Sequence, residues 1–324
     1  MKILRVGDPH VKVSNLDESE RLMQFVLAMA RAHNVDTIEL LGDLFHTHAI
    51  LRLEVLLFWQ KWLYKLSKEF YTIVLVGNHD QSGDHSSDSN VLTVLSDLNP
   101  DSLLVVELPA LVKGIGYLPY IHDNEKFIKE ANILAELGAT CLVSHTTYQG
   151  SKYDNGMYAP DGVDPDAISG NFVNLISGHV HTEQEYGRVW YPGTARWDTA
   201  SDANKRKGVW ICVHDNGGRL TSREFVSTGE GVCVPIISVE WREGEACPEL
   251  PEGAKTQVEL IGSSAWVAKE KINLKGKASI KTKITDTKKE SRKAGSNLLD
   301  FVNNHFESKM KDKVVNKMKE LGLV

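Results

Sequence analysis

The sequence predicts an α/β fold: two sheets flanked by helices, followed by a small α+β unit and a C-terminal helical segment. Three observations predict it. Over the first 180 residues, short β-rich apolar runs alternate with amphipathic stretches at helical spacing, which implies a largely parallel sheet with helices on its faces. After Gly187 the strand-like runs follow one another across Gly and Asn turns without intervening helices, which suggests a second, more antiparallel sheet completing the same domain. Beyond Thr228 a linker-like Thr-Gly-Glu-Gly marks a change to shorter, more charged elements.

The elements follow in order. Strands are expected at Ile3–Val6, Thr37–Leu41, Thr72–Val76, Thr140–Val143 and Val173–Ile176, each short, apolar and β-rich. Between the first two, Leu22, Phe25, Val26 and Met29 repeat at helical spacing, with Asp17 as the expected N-cap. Leu51–Phe70 reads as a long helix, apolar nearly all round, so it is covered either in the core or at a subunit interface. Val91–Leu98 reads as a shorter helix, and Asn124–Leu137 as one capped by Asp123 and stopped at Gly138. Val189–Tyr191, Gly208–Val213 and Leu220–Val226 are the later strands. In the α+β unit, Ile236–Trp241, Thr256–Ile261 and Ser279–Ile284 are strands, and Ser263 caps a helix running to about Lys271. Asp286–Ser296 is a polar linker. Leu298, Val302, Phe306, Met310, Val314, Met318 and Leu321 then form one apolar helical face. The expected domains are residues 1–230, 231–285 and 286–324.

Composition bounds the function. With 324 residues, 42% hydrophobic and 25% charged, the chain is an ordinary globular protein, which excludes disorder, collagen and a disulfide scaffold. No apolar run approaches the roughly 18 residues of a membrane helix, and the N-terminus is not a signal peptide, so a cytoplasmic location with no membrane partner is expected. Cys141, Cys212, Cys233 and Cys247 form no C-x-x-C pair and read as reduced thiols. The net charge of −6 is unevenly spread: residues 1–266 carry −14, and residues 267–293 carry +7. An acidic body suits divalent cations, and a basic segment suits phosphates.

The chemistry lies where the strands end. The first strand is followed by Asp8-Pro-His10, the second by Gly42-Asp43-Leu-Phe-His46, and the third by Gly77-Asn78-His79-Asp80. The fourth is followed by Ser144-His145 and the fifth by Gly178-His179-Val-His181. Strand C-termini in a parallel sheet share one edge, so these loops are expected to converge. The glycines permit tight turns and close backbone approach there. Each piece alone is ordinary turn chemistry; five in series at strand ends are not. Six of the twelve histidines lie in them, and His33, His48, His85, His122, His214 and His305 read as surface or loop residues. Oxygen and imidazole ligands together suit Mn²⁺, Fe²⁺ or Zn²⁺.

The series D-x-H, G-D, G-N-H-D, H and G-H-x-H resembles the calcineurin-like metallophosphoesterase superfamily, over about residues 1–230. The resemblance implies a two-sheet sandwich flanked by helices and two divalent ions, with Mn²⁺ favoured and Mg²⁺, Fe²⁺ or Zn²⁺ also suited. Asp8, His10, Asp43 and His181 would hold one ion. Asp43, Asn78, His145 and His179 would hold the other, with Asp43 bridging. His79 would act at the scissile phosphate, with Asp80 orienting its imidazole.

Within the superfamily, Gly42-Asp43-Leu-Phe-His46 is similar to the SbcD-type DNA nuclease subunit, a homologue of the meiotic-recombination nuclease, in a phage or bacterial version. Protein phosphatases of the superfamily carry an arginine soon after this motif; here none occurs until Arg52. The resemblance implies that His46 positions DNA beside the metals and that residues 231–285 form a DNA-capping domain. Lys269, Lys271, Lys275, Lys277, Lys281 and Lys283 would then bind DNA phosphates. The C-terminal helix would dock on an SbcC-like coiled-coil ATPase, and the catalytic domain would form a homodimer. The chain has no G-x-x-x-x-G-K-[ST] loop, so ATP control would come from that partner. The sequence departs from the family's pattern in lacking the glycine after D-x-H and the proline after Asn-His-Asp. A small-molecule phosphodiesterase or phosphatase of the same superfamily would explain the ligands equally well, and a non-catalytic DNA-binding scaffold would not.

Overall fold

Every second side chain of the first strand, β1 (Lys2–Val6), faces a different layer, and all of Ile3, Leu4, Arg5 and Val6 are buried. A strand covered on both faces is an interior strand of a layered α/β fold. The computed structural model describes residues 1–48, 50–82, 89–153, 156–229, 231–285 and 314–319. They fall into two units, Met1–Ser238 with Leu250–Gln257, and Val239–Glu249 with Val258–Val324.

In chain order the first unit's strands are β1, β2 (Thr37–Leu40), β3 (Tyr71–Leu75), β4 (Leu103–Val106), β5 (Ala110–Val112) and β6 (Ile115–Leu118). They continue with β7 (Cys141–His145), β8 (Asn174–Gly178), β9 (Gln184–Tyr186), β10 (Val189–Tyr191), β11 (Gly208–His214) and β12 (Leu220–Ser227). One sheet has the order β12-β11-β1-β2-β3-β4, the other β5-β6-β7-β8-β10-β9. Strands β1 to β4 run parallel in the first, and β6, β7, β8 and β10 run parallel in the second.

This differs from the expected arrangement in two respects. The five ligand-bearing strands do not share a single sheet: β1, β2 and β3 belong to one, β7 and β8 to the other. The β11–β12 hairpin does not start a second sheet either; β11 pairs antiparallel with β1. Short strands such as Leu103–Val106 and Ile115–Leu118 carry no clear signal in the sequence, because Pro, Gly and Lys interrupt it around them.

Three apolar layers follow from the alternation. Ile3, Leu41, Ile73, Tyr117, Val143, Ile176 and Trp210 pack between the sheets. Leu4, Ile38, Leu40 and Val74 face α1 (Leu16–Ala32) and α2 (Leu53–Ser67). Leu142, Leu175 and Val189 face α3 (Asn124–Glu136). Asp123 does cap α3, accepting from the backbone N–H of Glu125 and Lys126. Asp17 instead lies in the first turn of α1, whose N-cap is Asn15. Val91–Leu98 is helical but wound as a 3₁₀ helix, capped by Asn90. In α2 the inward face is Val55, Phe58, Trp59, Trp62, Leu63 and Leu66, while Leu53, Leu57 and Tyr64 are exposed. Core burial therefore accounts for only one side of this helix.

The second unit carries most of a three-stranded sheet of order β13 (Ile236–Arg242), β14 (Lys255–Gly262) and β15 (Ser279–Ile284), with α4 (Ser264–Asn273) before β15. Ser263 caps α4 by accepting from Trp266 N–H at 3.3 Å. Residues 314–319 are helical with Met318 buried. The expected linker Asp286–Ser296 and the apolar stripe at Leu298, Val302, Phe306, Met310 and Leu321 lie outside the described residues, as do His85 and His305.

Between the sheets sits an ion pair with no exposure at either side chain, Arg5 Nε to Glu39 Oε2 at 2.6 Å. Tyr117 of the opposite sheet donates its hydroxyl to Glu39 Oε1 at 2.5 Å. Breaking such a pair leaves a buried charge uncompensated, which costs about 3–5 kcal/mol. Arg5→Met should therefore destabilise the protein by that amount in urea unfolding, whereas Arg5→Met combined with Glu39→Leu should recover most of the loss. Equal destabilisation by single and double variants would refute this account.

Candidate metal centre

All five loops expected to converge do so, at the C-terminal edges of both sheets. Asp8, His10 and His181 present ligand atoms within 4.8 Å of one another, and so do Asp43, His145 and His179. Asn78 joins the second group, its Oδ1 lying 2.7 Å from His179 Nδ1 and 3.0 Å from His145 Nε2. Asp43 Oδ2 lies between the groups, 3.6 Å from His10 Nε2 and 3.4 Å from His145 Nε2. The His10 and His181 Nε2 atoms are 3.0 Å apart.

The backbone builds this convergence. Gly42 has φ of +101°, and a Cβ there would fall 2.5 Å from His145 Nδ1. At Gly77 a Cβ would strike Asp43 Oδ1 at 2.2 Å. Three of the candidate ligands themselves hold left-handed backbone, His10, Asp43 and His179, with φ of 44°, 50° and 76°. The carboxylates tie loop to loop through charge-assisted hydrogen bonds. Asp8 Oδ2 accepts from His179 N–H at 2.7 Å, and Asp43 Oδ1 from His79 N–H at 2.8 Å. His145 Nδ1 lies 2.7 Å from the Leu41 carbonyl, across the two sheets.

The charges are arranged for cations. Burial pushes the Asp8 carboxyl up to about 6, opposed by His145. Asp43 is held well below the usual range despite burial, chiefly by His145. Burial lowers His10 and brings His179 down to about 3, so both are neutral imidazoles at neutral pH. His145 goes the other way: against burial, Asp43 and Asp8 raise it to about 10. Asp8 Oδ1 and His10 Nδ1 are buried without a hydrogen-bond partner. Buried lone pairs on oxygen and nitrogen, converging without thiolates, fit hard or borderline divalent ions.

Two expected roles change. Asp80 does not orient the His79 imidazole. Its carboxylate accepts from Gly77 N–H and Phe45 N–H, each at 3.0 Å, and so clamps the third loop to the second. Burial, then Asp43, pushes its carboxyl up to about 7. His79 is instead oriented by the His46 carbonyl, 2.7 Å from its Nδ1. His48 is also more than a loop residue: its ring stacks on His79 at 4.0 Å between centroids, and its Nδ1 lies 2.9 Å from the Asn78 carbonyl.

Other contributors carry no strand-end signature. Asp198, almost fully buried, is 3.4 Å from His46 Nδ1, 3.0 Å from Lys12 Nζ and 3.6 Å from Arg196. Against burial, Lys12 and Arg196 hold Asp198 below the usual carboxylate range. Lys207 Nζ donates to the His181 carbonyl at 2.8 Å. Tyr120 stacks beside His179 with centroids 6.1 Å apart. Buried Lys207 and Arg196 are unreadable from sequence, because only the fold reveals that these cations are inside. The six lysines Lys269, Lys271, Lys275, Lys277, Lys281 and Lys283 lie in the second unit, all exposed.

The family model for calcineurin-like phosphoesterases matches residues 1–183. The chain belongs to this family. Two viral proteins are similar to it, both named phosphoesterases by inference. The 244L protein of Invertebrate iridescent virus 6 is 27% identical over 203 residues, covering 60% of this chain and 69% of its own. The 078R protein of Invertebrate iridescent virus 3 is 27% identical over 204 residues, covering 60% of this chain and 57% of its own. Among solved structures, the E. coli phosphoesterase Yfce aligns over 70% of this chain and 100% of its own, at 13% identity and a TM-score of 0.34. Members of the family are divalent-metal phosphoester hydrolases, and the buried oxygen and imidazole clusters here are the corresponding candidate ligands.

His79 also presents a ring nitrogen within 4.8 Å of His10 and Asp43 ligand atoms, so metal content must be read separately from turnover to divide holding metal from acting on substrate. Asp43→Asn should lower bound metal, measured by elemental analysis after dialysis, and abolish hydrolysis. His79→Gln should keep the metal stoichiometry and lose at least 100-fold in kcat, the scale of one general acid. Metal lost from the His79 variant but retained by the Asp43 variant would reverse the two roles.

Proposed function

We propose that the chain is a metal-dependent phosphodiesterase that cleaves DNA. The observation that carries the reading is a pair of histidines not needed by the two proposed ligand sets, His46 and His79, the second of which lies close enough to His10 and Asp43 to form a group with them. His79 and His46 have ring centroids 4.8 Å and 5.7 Å from that of His10, and 6.2 Å from each other. Two divalent ions, Mn²⁺ by preference, would supply charge neutralisation and a nucleophile at neutral pH. They would be held by Asp8, His10, Asp43 and His181 on one side and by Asp43, Asn78, His145 and His179 on the other.

The chain's own residues do the rest. With His79 Nδ1 turned to the His46 carbonyl, its Nε2 is left to face a phosphoryl or leaving oxygen, and donates there when protonated. His46 Nδ1 lies 3.4 Å from Asp198, at the edge of the cluster, where the ring could meet the sugar–phosphate chain. The exposed lysines of α4 and β15 offer sequence-independent phosphate contacts. Docking on an SbcC-like ATPase through the C-terminal helix belongs to the same reading, as does a homodimer through the exposed apolar face of α2.

The test is Mn²⁺-dependent degradation of linear duplex DNA, with and without the ATPase, against hydrolysis of bis(p-nitrophenyl) phosphate. Cleavage of the small diester with no action on DNA under either condition would favour a small-molecule phosphodiesterase instead. Replacing Lys275, Lys277, Lys281 and Lys283 by Gln should flatten the salt dependence of DNA binding by up to about 0.9 log units per lost contact. An unchanged slope would return these lysines to a solvated surface. Leu57→Asp should convert a dimer to a monomer in light scattering, and a monomeric parent protein would end the dimer proposal.

A further inference from the structure

Beside the ligand clusters, in the same unit, is a cavity of about 660 Å³ lined by Val76, Gln81, Leu108, Tyr120, Ile133 and Leu134 among others. Tyr120 is a wall shared with the metal centre, since its ring stacks beside His179 at 6.1 Å and lies 6.3 Å from His145. Gln81 ties the two together, following Asp80 directly and donating its side-chain N–H to the Tyr120 carbonyl at 2.9 Å. A ligand whose phosphate sat at the histidines would reach the cavity past Tyr120, whose main chain is held at this boundary by the Val76 carbonyl at 2.8 Å and by Gln81.

The chemistry of the lining selects what extends there. Its bed is apolar and aromatic, and Leu108, Ile133 and Leu137 remain 77%, 39% and 64% exposed at its edge. Apolar side chains left exposed together around one cavity mark a binding surface. The charged groups are mainly carboxylates, Glu107, Asp123 and Glu130, against one lysine, Lys126. That balance repels a second phosphate and accepts hydrogen bonds from N–H donors. The volume lies within the roughly 300–1,000 Å³ of small-ligand pockets. An uncharged, flat group bearing N–H donors and attached to a phosphoester meets all these conditions.

We propose that this cavity is a base-binding subsite, which receives the nucleobase of a nucleotide whose phosphoester is cleaved at the adjacent histidines. The inference rests on the phosphodiesterase reading and deepens it, because a base held in the cavity has left any stack. Substrates with unpaired or terminal nucleotides are then favoured over continuous duplex.

Two measurements test it. Adenosine, which carries no phosphate, is titrated into the metal-free protein and followed by saturation-transfer NMR. Binding should appear in the parent protein and be at least tenfold weaker in Ile133→Trp, which fills the cavity from its partly exposed edge. In the Mn²⁺-loaded protein, KM for thymidine 5′-(p-nitrophenyl) phosphate relative to methyl p-nitrophenyl phosphate should rise tenfold in the same variant. Leu108→Trp provides a second filling variant at a more exposed position, where misfolding is not a concern. No adenosine binding to the parent, or unchanged binding and KM ratio in both variants, would overturn the subsite. Failure of the parent to hydrolyse either diester would overturn the phosphodiesterase reading alone, since adenosine binding is read without metal or turnover.

Discussion

A carboxylate that accepts a backbone N–H from a neighbouring loop is the interaction on which the rest of this site depends. Asp8 reaches from the end of β1 to His179 after β8, Asp43 from the end of β2 to His79 after β3, and Asp80 back from the β3 loop to Phe45. Each bond to a charged group contributes about 1.5–3 kcal/mol when buried. Their larger effect is geometric. Asp8 and Asp43 each spend one oxygen on a loop, so the other oxygen points in a fixed direction, while Asp80 spends both on main chain. The imidazoles are then held from behind by carbonyls, His145 by Leu41 and His79 by His46. The ligand atoms are thereby positioned by main-chain atoms and do not rely on side-chain packing alone.

The sandwich makes this possible. A single sheet presents its strand ends along a line, whereas two facing sheets present theirs around a cleft. Here β1, β2 and β3 contribute from one side and β7 and β8 from the other. The sheets must keep a fixed mutual register for the ligands to meet. The Arg5–Glu39–Tyr117 group lies in the layer between them and crosses from one sheet to the other. Such polar groups add little net stability, but an offset between the sheets would leave all three unsatisfied.

Much of this was legible in the sequence. The ligand types at strand ends, the helix caps at Asp123 and Ser263, and the strands of the small unit could all be read from local pattern. Local pattern did not show which sheet each strand joins, because pairing partners are far apart in sequence: β1 pairs with β11 across some 200 residues. It also assigned Asp80 to His79 by adjacency, whereas neighbours along a tight turn point apart and Asp80 bonds to main chain. His48 looked like a loop histidine because stacking on His79 is a tertiary contact. Asp198, Arg196, Lys12 and Lys207 had no motif to announce them; what marks them is burial of charge, a property of the folded chain.

The left-handed backbone at His10, Asp43 and His179 has a consequence for how this protein can change over generations. Non-glycine residues in that region cost of order 1–3 kcal/mol each, and the ligating side chain is the reason to tolerate them. A lineage released from phosphoester chemistry would relieve strain by admitting glycine or asparagine at His10 and His179, whereas at Asp43 the lost bond to His79 N–H would offset the gain. Decay would then begin at those two ligands, not at the glycines or the core, and it would proceed quickly because each step is favoured by folding. The demand the site makes on the chain is thus written in backbone dihedral angles as much as in side chains.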